Sequence, residues 1–154
     1  METESIWSQI ITSLGPLLGV VVGALATYVA QTNSLKKQWE REEAKEKEKK
    51  HIEKLLMYSE ILKLDGEHLM QVNIGGGYNE FNTITFNEKF RPVFFSKFYL
   101  IDQNIADNIR NMDFIIAAGN YFEELEQQQE DELIILYTNI IRDIENHIKM
   151  NKLN

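Results

Sequence analysis

The sequence predicts an all-α protein: a single N-terminal transmembrane helix, a charged helical spacer and a small antiparallel helical bundle. Three observations predict it. No residue between Glu4 and Lys36 is charged, the stretch from Lys36 to Lys54 is mostly charged, and apolar residues beyond Ile52 recur at three- and four-residue spacing. The expected boundaries are 1–33 for the anchor, 34–51 for the spacer and 52–154 for the bundle, with a loop at 74–92.

Ile6 to Ala30 would span about 37 Å as a helix at 1.5 Å per residue, against a hydrocarbon core of about 30 Å. Trp7 and Tyr28 are placed as interfacial aromatics. Pro16 removes one backbone donor, so the sequence predicts either a kink over Thr12 to Pro16 or a span that starts near Pro16. A cleaved signal peptide is the competing reading, because Ala24-Leu25-Ala26 has the small-x-small pattern of a cleavage site. The leading "METES" is acidic where such a peptide needs lysine or arginine, which favours the uncleaved anchor. Every nearby basic residue follows the span, so the expected orientation is N-terminus outside and C-terminal bundle cytoplasmic, in the cell membrane.

Gly15, Gly19 and Gly23 recur every four residues and Thr27 continues the row, a stripe that would let two helix backbones of a homo-oligomer approach closely. Ordinary span composition gives the same pattern. Lys36, Lys37 and Trp39 are the expected membrane-interface residues on the spacer side. Within the spacer, Glu43 with Lys47 and Glu46 with Lys50 have the favourable order of acid four residues before base. No apolar stripe runs through Arg41 to Lys50, so a solvated helix is expected there.

From Ile52 the stripe Ile52, Leu55, Leu56, Ser59, Leu62, Gly66, Leu69 and Val72 predicts a packed helix, ended by Asn73 and the glycines Gly75 to Gly77. "TITF" is too short to stand as a lone strand, which leaves 74–92 as a loop. "RPVFFSKFYLID" predicts a short helix or turn tucked against the bundle. Asp102 is the expected cap of a helix carrying Ile105, Ile109, Met112, Ile116, Gly119, Phe122 and Leu125. A second helix carries Leu133, Leu136, Tyr137, Ile140, Ile141, Ile144 and Ile148. The polar "EQQQEDE" between them predicts a hairpin, with one uninterrupted helix as the alternative.

"GALATYVAQ" running into "LKKQWEREEAKEKEKKHIEKLL", followed by "FYLIDQNIADNIRNM", resembles a broad group of short bacterial and prophage-encoded membrane proteins. The resemblance implies one N-terminal span, a charged helix and a cytoplasmic helical bundle, and it implies no particular activity.

Composition excludes several chemistries. The chain has no cysteine, hence no disulfide framework, thiolate zinc site or cysteine nucleophile. Formal net charge is −8, and Leu55 to Asn154 carries eight Lys/Arg against sixteen Asp/Glu, so nucleic acid is not an expected partner. His51, His68 and His147 show no metal-ligand spacing and read as solvated helix-surface residues. "IGGGYNE" lacks the Gly-Lys-Ser/Thr ending of a phosphate loop. Glu123, Glu124, Glu126, Glu130, Asp131 and Glu132 form an acidic cluster at the hairpin: a solvated face, or else a cation site or a docking surface for a basic partner. No catalytic, cofactor-binding or metal-ligating residue is assigned. The expected function is a membrane-anchored, non-enzymatic scaffold or regulator resting on the lipid bilayer and binding a protein partner or itself. A phage-type lysis or exclusion factor acting through an oligomerising span is the alternative.

Overall fold

Helix α1 (Thr3–Glu67) holds most of the apolar run and the whole charged segment, and it continues through Pro16. The computed structural model describes residues 3–122 and 125–152, with side chains described from 19 to 122 and from 125 to 151. Two compact units divide the chain, Met1–Glu48 and Lys49–Asn154. In the first unit every side chain from Gly19 to Glu48 is exposed. Two threonines there donate back along the helix, Thr27 Oγ1 to the Gly23 carbonyl (2.8 Å) and Thr32 Oγ1 to the Tyr28 carbonyl (3.0 Å). Lys47 and Glu43 make the expected pair one turn apart, at 2.6 Å.

The expected transmembrane helix is corrected. Among the described residues, no helix is long and apolar enough to cross a membrane. On the same helix Ala30 is followed by Gln31, Thr32, Asn33, Ser34 and Lys36, which close the apolar run. The single-pass anchor falls with that finding, and so does the localisation drawn from it, with the N-terminus outside and the bundle cytoplasmic.

The second unit takes in the end of α1, whose buried residues are Met57, Tyr58 and Ile61. The expected stripe was out of phase: Ile52, Leu56, Leu69 and Val72 are exposed. Tyr58 explains the shift, because its hydroxyl has polar partners that let the ring sit fully inside. The helix also ends at Glu67, before Leu69 and Val72.

The expected loop at 74–92 is a hairpin followed by helix, so the fold is mainly helical with one two-stranded sheet. Strands β1 (Gln71–Gly75) and β2 (Tyr78–Phe81) pair antiparallel, with Val72 opposite Glu80 and Gly75 opposite Tyr78. Gly75, Gly76 and Gly77 all have positive φ (97°, 65° and 84°), a turn that side chains would strain. Asn73 secures it, its Oδ1 accepting the Gly75 N–H at 2.9 Å.

Helical backbone resumes at α2 (Thr83–Thr85), where Asn82 Oδ1 accepts the Thr85 N–H (2.9 Å) as a cap. It widens into a π turn over Phe86–Phe90 and continues as α3 (Arg91–Ser96). The π turn precedes Pro92, whose ring would otherwise strike the carbonyl four residues back. Phe86, Phe90 and Phe94, four residues apart, are fully buried and form an aromatic core with Phe81 and Tyr137. A short 3₁₀ turn (Phe98–Leu100) leads to α4 (Gln103–Phe122) and α5 (Gln127–Lys152).

Helices α4 and α5 run antiparallel, which bears out the hairpin over the continuous helix. Asn104 Nδ2, near the start of α4, donates to Asp143 Oδ2 (2.6 Å) in the second half of α5. At the other end Gly119 lets the chain fold back, since a Cβ there would lie 2.4 Å from Leu125 Cδ2. Ile105, Ile109, Met112 and Ile116 of α4 and Leu133, Tyr137, Ile140 and Ile144 of α5 are buried as expected. Leu136, Ile141 and Ile148 are half-buried, Leu125 is half-buried beyond the end of α4, and Phe122 is exposed.

Candidate functional site

Two polar constellations stand out in the Lys49–Asn154 unit, at opposite ends of the α4–α5 pair. The first gathers around Asp102, the residue before α4. Its carbonyl accepts the Ala106 N–H (2.9 Å), while its carboxylate turns toward α1 and α5. Lys54 Nζ donates to Oδ1 (2.5 Å) and Tyr58 Oη donates to Oδ2 (3.1 Å). The Asp102 N–H donates in return to Tyr58 Oη (3.2 Å), and His147 Nδ1 lies 3.2 Å from Oδ2. The His147 ring stands edge-on to Tyr58, with centroids 5.3 Å apart.

Burial by itself would raise the Asp102 pKa. The hydrogen bond and charge of Lys54, helped by Tyr58 and His147, outweigh burial and hold the carboxyl below its usual range. Burial pushes the Tyr58 phenol well up. Burial and the Lys54 charge push His147 down against the pull of Asp102, with His51 adding to the drop. A neutral His147 that donates from Nδ1 then leaves Nε2, which is buried and has no hydrogen-bond partner. Tyr58 is fully enclosed, so the cluster offers no open nucleophile. Its chemistry is to fasten α1, the start of α4 and the end of α5 to one carboxylate.

The second constellation lies where β2 meets the α4–α5 turn. An open cleft of about 690 Å³ is bounded there by Ile74, Glu80, Phe81, Leu125 and Glu130, among others. Glu130 is 9% exposed, and its Oε2 accepts the Phe81 N–H at 2.6 Å. Burial raises its pKa; the Phe81 N–H opposes that, and Glu80 and Asp131 add to the rise. Gln127 Nε2 donates to the Asn79 carbonyl at 3.3 Å and so ties β2 to α5 beside the cleft.

On the same half of α4, large aromatic side chains stand uncovered: Phe114 at 77%, Tyr121 at 81% and Phe122 at 72% exposure. Phe114 and Tyr121 are seven residues apart and share a helix face. The Tyr121 and Phe122 rings meet edge to face at 5.1 Å.

The residues singled out from sequence sit elsewhere. Trp7 and Gly15 lie outside the residues whose side chains are described. Gly19 and Gly23 have nothing within 4 Å of a would-be Cβ, and Thr27 is exposed beside them. Tyr28, Lys36, Lys37 and Trp39 are exposed along α1. Glu123 and Glu124 of the acidic cluster are outside the description; Glu130 is buried rather than solvated. His147 is half-buried with its Nε2 enclosed, contrary to its reading as a solvated surface histidine. Sequence reasoning missed the Asp102 cluster because its members lie 44 and 48 residues apart. The acid just ahead of a helix was a visible signal, but it reads first as a cap. Among the described residues, no group of three His, Asp or Glu is arranged to hold a metal ion. No protein-family model, curated protein or solved structure matches the chain.

Proposed function

We propose that this chain is a non-enzymatic interaction protein whose Lys49–Asn154 unit binds another protein through α4. The observation that carries the reading is the uncovered aromatic face of Phe114 and Tyr121, with Phe122 beside it. At about 150–250 Å² per aromatic side chain, the three leave roughly 450 Å² in water. That matches the largest apolar patch of a typical monomer, which is often functional. Aromatic side chains are also the commonest anchors of protein interfaces.

A photo-crosslinking amino acid placed at Tyr121 of the full chain tests the reading in the cell of origin. A discrete adduct of one partner mass is expected at Tyr121, and none from the same probe at Glu88, an exposed acid on the π turn. Adduct patterns that are the same at both positions, or no adduct at Tyr121, would overturn it. The mass also separates a second copy of this chain from a different protein.

A further inference from the structure

We infer that the cleft beside Glu130 receives a lysine or arginine side chain from a basic, amphipathic segment of a partner protein. The inference rests on the interaction reading above and names the chemistry of the partner.

Charge comes first. Residues 111–141 contain seven Asp/Glu and no Lys or Arg, although they form the second half of α4, the turn and the first half of α5. Of these acids Asp113 is matched by Arg91 at 2.9 Å. Among the described residues, neither Glu80 nor Glu130 has a Lys or Arg partner, yet both line the cleft. A buried carboxylate is ordinarily paired with a cation or neutralised. Glu130 holds one backbone N–H and faces two further acids, Glu80 and Asp131, whose repulsion adds to its burial. A cation entering the cleft would relieve the two acids that line it, Glu80 and Glu130.

Shape comes second. Ile74, Phe81 and Leu125 give the same cleft apolar walls. A long basic side chain suits such a place, since its methylene stem lies on apolar surface while its head reaches the acids. Ile74 and Tyr78 of the hairpin and Tyr121 of α4 are exposed apolar side chains of the same unit. They give a folded segment something to bury that a free polyamine would not use. This favours a protein segment with apolar residues between its lysines or arginines.

The probe is a fluorescent amphipathic peptide of leucine and lysine about 18 residues long, titrated against the full chain at low ionic strength. Its leucine–glutamate counterpart and spermine are the comparison arms. Glu80→Gln and Glu130→Gln remove the charges, and glutamine keeps an oxygen for the Phe81 N–H; Glu88→Gln is the control. The double variant should weaken peptide binding about tenfold, against less than twofold for Glu88→Gln. Near-ultraviolet circular dichroism checks that each variant is folded, and Glu80→Gln alone, away from the buried hydrogen bond, should show part of the loss. Equal weakening by Glu88→Gln, equal binding of the leucine–glutamate peptide, or no binding of the leucine–lysine peptide would overturn the inference. Spermine binding as tightly as the peptide would assign the cleft to a free amine and overturn the protein-segment reading. Should the peptide arm fail while Tyr121 still crosslinks a partner, only the cleft assignment falls. Failure of the Tyr121 crosslink removes the interaction reading itself.

Discussion

Asp102→Ala is expected to be among the most damaging single changes to a charged residue of this chain, by about 3 kcal/mol. Lys54 is 15% exposed and Asp102 38% exposed, so the two sides of the pair lose differently. Removing the carboxylate leaves a largely enclosed ammonium without its counter-charge and takes the acceptor from the buried Tyr58 hydroxyl. Breaking a fully buried pair from one side costs about 3–5 kcal/mol, and a buried hydroxyl without an acceptor about 1–3 kcal/mol. Solvent reaches more than a third of the Asp102 side chain and screens part of the first cost, which brings the total to about 3 kcal/mol. Lys54→Met is the milder change, at about 1 kcal/mol, because the carboxylate keeps Tyr58 and His147 and its own access to water.

The assay is urea unfolding of the full chain, followed by the tyrosine band in near-ultraviolet circular dichroism. Tyr58 and Tyr137 are buried in the Lys49–Asn154 unit. Tryptophan fluorescence would not serve, since Trp7 and Trp39 both belong to the other unit. In the Lys54→Met background, Asp102→Ala should cost about 1–2 kcal/mol less than in the wild type, which measures the coupling directly. An Asp102→Ala loss under about 0.5 kcal/mol, or a larger loss from Lys54→Met, would refute the reasoning.

Two further outcomes are expected. His147 has its folded-state pKa lowered, so its contribution to stability is intact above about pH 6.5 and falls as pH drops below that value toward the folded pKa; urea midpoints should therefore decline in this window, and less so for His147→Asn, which keeps an N–H for Asp102 while Lys54, Tyr58 and His51 stay in place. Gly119→Ala should destabilise the unit by about 1 kcal/mol although alanine favours helix by a similar amount, because the new Cβ meets Leu125; in a Leu125→Ala background the same change should turn neutral or stabilising.

What the sequence reveals depends on how local the cause is. The buried stripes of α4 and α5 are read correctly because each is one amphipathic period, from Ile105 to Ile116 and from Leu133 to Ile144. The reversal between the two helices is read correctly but placed too late, because the polar residues 127–132 of "EQQQEDE" already belong to α5. The hairpin is missed because β1 has no buried residue to show alternation, and only Phe81 of β2 faces the core. The helical stretch over residues 83–90 is missed although Phe86 and Phe90 stand four apart, since the polar residues around them dominate a composition reading, whereas the short helix expected in "RPVFFSKFYLID" is there as α3. The expected membrane crossing is overturned because no helix among the described residues is long and apolar enough to make it. The Asp102 cluster needs tertiary structure, because no window of the sequence contains Lys54, Asp102 and His147 together.

The two acid sites of the α4–α5 pair show how one small unit can separate stability from recognition. At the Asp102 end every polar group but one nitrogen has a partner from another element, so the carboxylate is held charged and the helices are fastened. At the Glu130 end the carboxylate is more deeply buried, its one hydrogen bond comes from a backbone N–H, and its charged neighbours are acids. Residues 111–141 hold no lysine or arginine, and among the described residues no cation from another element pairs with Glu130 as Arg91 pairs with Asp113. The same end leaves Tyr121 and Ile74 uncovered, so among the described residues of this unit its charge and its apolar surface are both unmatched. An element that supplies a cation and an apolar face together would correct both at once, and that pairing of properties is what a basic amphipathic segment carries.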